Sequence, residues 1–340
     1  LLLQELVVDD YGIHIGKTSE RIVLRKNKEV IGEYSILEME DLIIMSRGVN
    51  LSTDVFQLLL ENGVQVYLTD YREEPYAMIY SPFLHGTVKT RKEQFASLGD
   101  SRGVHVTKQF AYGKIQNQIN TLKYYLRSRE GEERELLIKE ITKMERYINA
   151  IVSLTGNNVD EIRPKILNCE GLAAQHYWTG VKVLLGDKAS EFTGRVSWNP
   201  TDGVNLMLNY GYSIIGSRVL GAIVRSGLEP YAGFIHTDRS GKESLRFDMV
   251  EEFRAPIVDR VVISMISRGF KPQKVEMDDG ITLHKETRNQ LRENLFRRLD
   301  TRERYKGKEY LLKTIIQLQA RSLASFFREG KPYKAFIARW

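Results

Sequence analysis

The sequence predicts an α+β chain: a small, mostly-β N-terminal domain followed by a larger all-α C-terminal domain. Three observations carry this. Short β-prone runs separated by turn signals fill the first eighty or so residues, Ser81-Pro82 and Gly86 punctuate the chain, and from about Thr90 the apolar residues recur at helical spacing. The β domain is placed at residues 1–81, a linker at 82–90 and the helical domain at 91–340.

Leu6-Val7-Val8, Ile13-His14-Ile15 and Ile22-Val23-Leu24 read as strands, with His14 an ordinary strand residue. Arg25-Lys26-Asn27-Lys28 leads into Val30-Ile31 as a hairpin turn, and Ile36 to Met45 gives a further strand or two. Thr53 or Asp54 caps a short helix bearing Val55, Phe56, Leu58, Leu59 and Leu60; Asn62-Gly63 stops it, and Val64 to Leu68 returns as a strand. In the helical domain Phe110, Ile115, Ile119, Leu122, Tyr125 and Leu126 form one stripe, and Leu136-Leu137, Ile141, Met144 and Ile148 another. A helix opening after Pro164 puts Glu170 on the stripe of Ala174, Tyr177 and Val181, a face that otherwise reads as buried, so its carboxylate needs a partner. Gly171, Ala173 and Ala174 would let a helix or ligand come close; His176 lies off the stripe. Asn199-Pro200-Thr201-Asp202 caps the next helix, along which Asn205, Asn209, Tyr212 and Gly216 align, and Gly227 with Pro230 beyond ends it.

Across 340 residues, 42% hydrophobic, no apolar run approaches the roughly 20 residues that cross a bilayer, and no basic region precedes the N-terminal apolar residues. The expectation is a cytoplasmic protein with no membrane partner, whose first native residues are missing ahead of Leu1. Cys169 stands alone, which excludes an internal disulfide and a thiolate metal cluster; it is expected as a small buried residue. The excess of 50 Lys+Arg over 44 Asp+Glu, and a pI near 9.1, suit a polyanionic partner. Basic residues gather beyond Arg288, interleaved with Phe296, Tyr305, Tyr310 and Phe326, as a nucleic-acid surface or a solvated helical face. Arg297 and Arg298 are the first candidates there for phosphate contact; Arg239, Lys242, Arg246 and Arg254 are a second set.

The stretch Tyr231 to Asp259 holds most of the chemistry. His236 ends a short apolar run, and Asp248, Glu251 and Glu252 follow at spacings that share one side of a helical turn, while Val250, Phe253 and Ile257 point the other way. Pro256 should kink or restart that helix. Taken alone, the stretch favours a solvated acidic face beside a hydrogen-bonded loop histidine; the rest of the chain changes that balance.

Glu170-Gly171-x-Ala173-Ala174 followed by Tyr177-Trp178, Asn199-Pro200 to Tyr212, Gly233-x-x-His236, and Leu245-x-x-Asp248-x-x-Glu251 stand in order along the chain. Together they resemble the CRISPR-associated adaptation integrase, the Cas one family, whose β-then-helical architecture agrees with the domains above. The resemblance implies a metal-dependent DNA integrase and endonuclease that inserts spacers into CRISPR arrays. It further implies Glu170, His236 and Asp248 as catalytic metal ligands, with Glu251 a further carboxylate at the metal. A homodimer formed through the β domain and a small ferredoxin-like Cas two subunit are the implied protein partners. Two carboxylates and an imidazole without thiolates suit Mn2+ or Mg2+, and the nucleophile would be the 3′-hydroxyl of an incoming DNA fragment, or water. Two alternatives stay open: a non-catalytic nucleic-acid scaffold that binds without metal, and an unrelated metal-dependent phosphodiesterase. Against the latter, His236 is followed by Thr237-Asp238 rather than forming a His-Asp doublet, and there is no Walker-type loop.

Overall fold

The computed structural model describes residues 4–81, 87–237, 241–277 and 280–339. The chain divides into two compact units, Leu1–His85 and Gly86–Trp340. Residues 82–86 of the expected linker lie outside the described residues, and a helix already opens at Thr87.

The N-terminal unit contains β1 (Gln4–Val8), β2 (Ile13–Thr18), β3 (Arg21–Lys26), β4 (Glu29–Ser35), β5 (Met39–Ile44), β6 (Asn50–Leu51), α1 (Thr53–Glu61), β7 (Gln65–Thr69) and β8 (Pro75–Ile79). One sheet has the order β1-β5-β7-β8, parallel except for β8; the other runs β4-β3-β2-β6, with only β2 and β6 parallel. Alternating Ile13, Ile15, Ile22 and Leu24 pack with Leu42, Ile44 and Val66, and α1 adds Val55 and Leu59, in one core. The turn at Asn27 and Lys28 has φ of 51° and 70°, the left-handed pair that a two-residue hairpin of this twist needs. Helix α1 is capped one residue earlier than expected, at Ser52, and stops at Gly63 with φ 76°.

The C-terminal unit contains α2 (Thr87–Ser97), α3 (Ser101–Leu126), α4 (Gly131–Ser153), α5 (Val159–Leu185), α6 (Gly203–Arg225), α7 (Ser244–Phe253), α8 (Arg260–Ser267), β9 (Lys274–Met277), β10 (Gly280–Leu283), α9 (Lys285–Leu299), β11 (Arg302–Tyr305), β12 (Lys308–Leu311) and α10 (Leu312–Glu329). Helix α6, buried almost all round, is its spine; α3 packs on α4, α5 and α7. Helix α5 starts at Val159, ahead of the expected point, because Asn158 caps it by accepting from the Glu161 N–H, and it takes Pro164 inside. In α4, Leu137, Ile141, Met144 and Ile148 face the core while Leu136 is exposed. Helix α6 is capped by Asp202, whose carboxylate accepts from Asn205 N at 2.9 Å. Two antiparallel hairpins, β9 with β10 and β11 with β12, add to the expected all-helical plan. Their four-residue strands are too short and too charged for a period-of-two signal. Among the described residues no helix is long and apolar enough to cross a membrane.

Candidate metal centre

Glu170 comes from α5, Lys114 from α3, Asp248 and Glu251 from α7, and His236 from the loop that folds over the start of α7. That fold-over requires glycine at 233, where a side-chain carbon would lie 2.5 Å from Ser244 Cβ and 2.8 Å from His236 O. Pro256 acts as expected: α7 ends at Phe253, a π-helical turn spans Arg254–Asp259, and α8 restarts.

The acidic side of α7 is not solvated. Asp248, Glu251 and Glu252 are all buried, and each carboxylate has its own partners. Asp248 Oδ2 accepts from Phe234 N and from Ile235 N at 3.1 Å, while Oδ1 accepts from His236 N at 2.9 Å and lies 2.7 Å from His236 Nδ1. An ionised carboxylate offers about four lone-pair directions, so four donors exhaust it. It also only accepts, so Nδ1 carries a proton, and in the neutral ring Nε2 is then the nitrogen with a lone pair to offer. Glu251 turns elsewhere, with Oε1 against Arg254 Nη1 and Oε2 3.1 Å from Lys114 Nζ. Lys114 Nζ also meets Glu170 Oε1, whereas Glu170 Oε2 is buried with no hydrogen-bond partner. Glu252 faces the C-terminal segment, accepting from Tyr333 Oη, Gln319 Nε2 and Phe336 N.

Opposite charge holds Glu251 ionised. Burial pushes Glu251 up, but Arg254, Lys114 and His236 outweigh it and keep this carboxyl below its ordinary range. Burial likewise pulls Lys114 down, and Glu170 and Glu251 more than reverse it. Arg254 lies over the Tyr212 ring at 4.6 Å, and Tyr212 and Tyr177 both donate to Asp259, at 2.6 and 2.7 Å. Among the described residues, no three of the His, Cys, Asp and Glu side chains converge closely enough to hold a metal ion as they stand. Glu170 and Glu251 meet through Lys114, His236 acts on Glu251 through space, and Asp248 stands behind His236, saturated with donors.

Of the basic candidates, Arg298 is 11% exposed and committed to Pro256 O, Thr301 Oγ1 and Glu303 Oε1, a structural clamp rather than an open phosphate contact. Arg254 is engaged by Glu251, and Arg246 is buried with its guanidinium against Gly216 and over the Phe247 ring. Lys242 is half-buried over the same ring, Arg297 is exposed, and Arg239 lies outside the described residues. Cys169 is half-buried, and burial pushes its thiol up. His176 lies 2.6 Å from Glu140 and stacks on Tyr147. Lys114 is the residue that the sequence reading missed. Its signal is a run of Lys114, Asn117, Gln118 and Thr121 at helical spacing, polar residues beside the apolar stripe of α3.

The family model for CRISPR associated protein Cas1 matches residues 6–296. The chain belongs to the Cas1 family. A CRISPR-associated endonuclease Cas1 of Archaeoglobus fulgidus is 34% identical over 98% of this chain and 99% of its own length. Among solved structures, a casposase bound to integration product has a TM-score of 0.80 at 24% identity, covering 98% of this chain and 93% of that one. A chain of a Cas6-RT-Cas1–Cas2 complex reaches 0.77 at 18% identity, covering 99% of this chain and 36% of that one. Membership makes this a nuclease and integrase of CRISPR spacer acquisition, with the family's dependence on a divalent metal.

Proposed function

We propose that Glu170, Glu251 and the Nε2 atom of His236 hold the divalent ion, Mn2+ or Mg2+, and that Asp248 positions His236 instead of ligating. The observation that carries this is the division of labour on α7: Asp248 has spent its lone pairs on four donors, while Glu251 shares Lys114 with Glu170, whose buried Oε2 has no donor. The donor set fits such an ion, with hard oxygens, one imidazole and no thiolate. A bound divalent ion polarises a phosphodiester oxygen and makes an attacking hydroxyl more acidic. The chain's own residues do the rest: Asp248 fixes the imidazole tautomer, and Arg254, stacked on Tyr212, fixes Glu251. In the reaction so assigned, the 3′-hydroxyl of an incoming DNA fragment attacks a phosphate of the CRISPR repeat, and the repeat's own 3′-oxygen leaves; water as nucleophile gives cleavage. The substrate places this activity in the cytoplasm. The likeness to a Cas6-RT-Cas1–Cas2 complex supports Cas2 as partner, and the exposed apolar residues of β4 support a homodimer through the N-terminal unit.

The test is joining of a labelled DNA duplex to a repeat-containing plasmid, with the partner subunit present. Glu170→Gln and Glu251→Gln should each lower joining by about 1,000-fold or more, the loss of several kcal/mol of charge stabilisation, with DNA binding retained. Joining that survives chelation of divalent ions, or that both variants retain, would overturn the assignment. Binding without joining by the unaltered chain would favour a scaffold.

A further inference from the structure

Two carboxylates from different helices converge on one ammonium group. Lys114 Nζ meets Glu170 Oε1 and lies 3.1 Å from Glu251 Oε2, and the three side chains are 17%, 8% and 4% exposed. Anions this close and this sheltered from water stay ionised only with a cation between them. Packing delivers that cation. At Gly113 a side-chain carbon would fall 2.8 Å from Ala335 Cβ and 3.2 Å from Glu252 Cγ, so α3 presses against α7 and the C-terminal segment at the residue before Lys114.

The pair has a second cation, Arg254, but it is held differently. Its planar guanidinium meets Glu251 and lies 4.6 Å over the Tyr212 ring, and Tyr212 is itself tied to Asp259. Lysine is a point charge on a flexible four-carbon stem with rotatable donors. Of the two, Lys114 is the one whose charged group can swing away without unstacking a ring.

We infer that Lys114 is the resident counter-cation of the Glu170–Glu251 pair, and that a divalent ion enters by displacing its ammonium group. The inference rests on the metal assignment above. Lys114 keeps the carboxylates together when no ion is bound, and it sets the concentration at which an ion binds, because the apparent affinity is reduced by the fraction of molecules in which the ammonium is docked. The site therefore takes up metal by exchange of one cation for another.

Mn2+ binding to the full chain, followed by the electron paramagnetic resonance signal of the free ion, tests this alongside thermal unfolding in chelator. Lys114→Met should bind Mn2+ about tenfold tighter or more, unfold at lower temperature in chelator, and recover most of that difference when saturated with Mn2+. Lys114→Arg, whose fork grips carboxylates more firmly, should bind Mn2+ about tenfold more weakly; it keeps the inference testable if the methionine variant does not fold. Unchanged or weaker Mn2+ binding by a folded Lys114→Met overturns the inference, as does unchanged or tighter binding by Lys114→Arg. If the unaltered chain binds no Mn2+, the metal assignment falls and this inference with it. If it binds and Glu170→Gln abolishes binding, a failure in the lysine variants counts against the displacement alone.

Discussion

Asp248 illustrates how spacing locates a residue without assigning its work. The i, i+3 relation to Glu251 put both carboxylates on one helical side, and the family resemblance made Asp248 a ligand. The positioning role proposed for it rests instead on its neighbours, because the N–H groups of Phe234, Ile235 and His236 and the His236 ring all point at it. No local pattern announces three consecutive backbone donors arriving from a loop. Asp248→Asn keeps the shape but sets an amide N–H where a donor already stands. It should weaken Mn2+ binding by about 10- to 100-fold, the usual effect of losing a residue that orients a ligand, and by less than Glu251→Gln does. Parallel Mn2+ titrations check this; a larger loss in Asp248→Asn than in Glu251→Gln would make Asp248 the ligand after all. Asp248→Ala should instead lose several kcal/mol of stability, at about 1–3 kcal/mol for each buried donor left unmet.

At the scale of elements, α7 joins the candidate site to the C-terminal segment through Glu252, whose carboxylate accepts from Tyr333, Gln319 and Phe336 in a fully buried place. Burial pushes this carboxyl up to about 7 from an ordinary 4.5, against the pull of those three donors. Folding therefore takes up a proton. The stability linked to that proton is complete below about pH 4.5 and is lost as pH rises through about 7. Glu252→Gln, a neutral mimic of the protonated acid, should match the unaltered chain in Tm near pH 4.5 and exceed it above pH 7, by at most about 3 kcal/mol at 1.36 kcal/mol per pKa unit. Thermal unfolding across that range decides it, since a difference that stays constant with pH removes Glu252 as the cause. Element ends were legible where the signal is local: the Asp202 cap, the left-handed Gly63 and Gly227, and the break at Pro256 all stand in the sequence. Contacts between distant segments were not. Lys114 meets Glu170 from 56 residues away, and Asn117 donates to Phe336 O from 219 away, distances over which periodicity carries no information.

For the whole molecule, the open question of assembly turns on the N-terminal unit. In its second sheet β4 is an edge strand, and Val30 and Ile31 on it are each 52% exposed, with Leu37 just beyond at 61%. Adjacent apolar residues on a sheet edge invite a partner. The ladder between β3 and β4 shifts register where Arg25 faces Val30 and Leu24 faces Gly32, which leaves Ile31 as the extra residue of a bulge. A bulge interrupts the regular edge that a continuing strand needs, so the contact expected here is side chain against side chain, repeated symmetrically in two copies. Light scattering on the unaltered chain at micromolar concentration should give twice the 39.3 kDa chain mass, and Val30→Glu combined with Ile31→Glu should give the single-chain mass with secondary structure intact. A monomeric unaltered chain would count against the homodimer itself. A dimer that survives both substitutions would move the interface off β4, leaving exposed Tyr11 or Tyr76 of the same unit as the next apolar groups to replace.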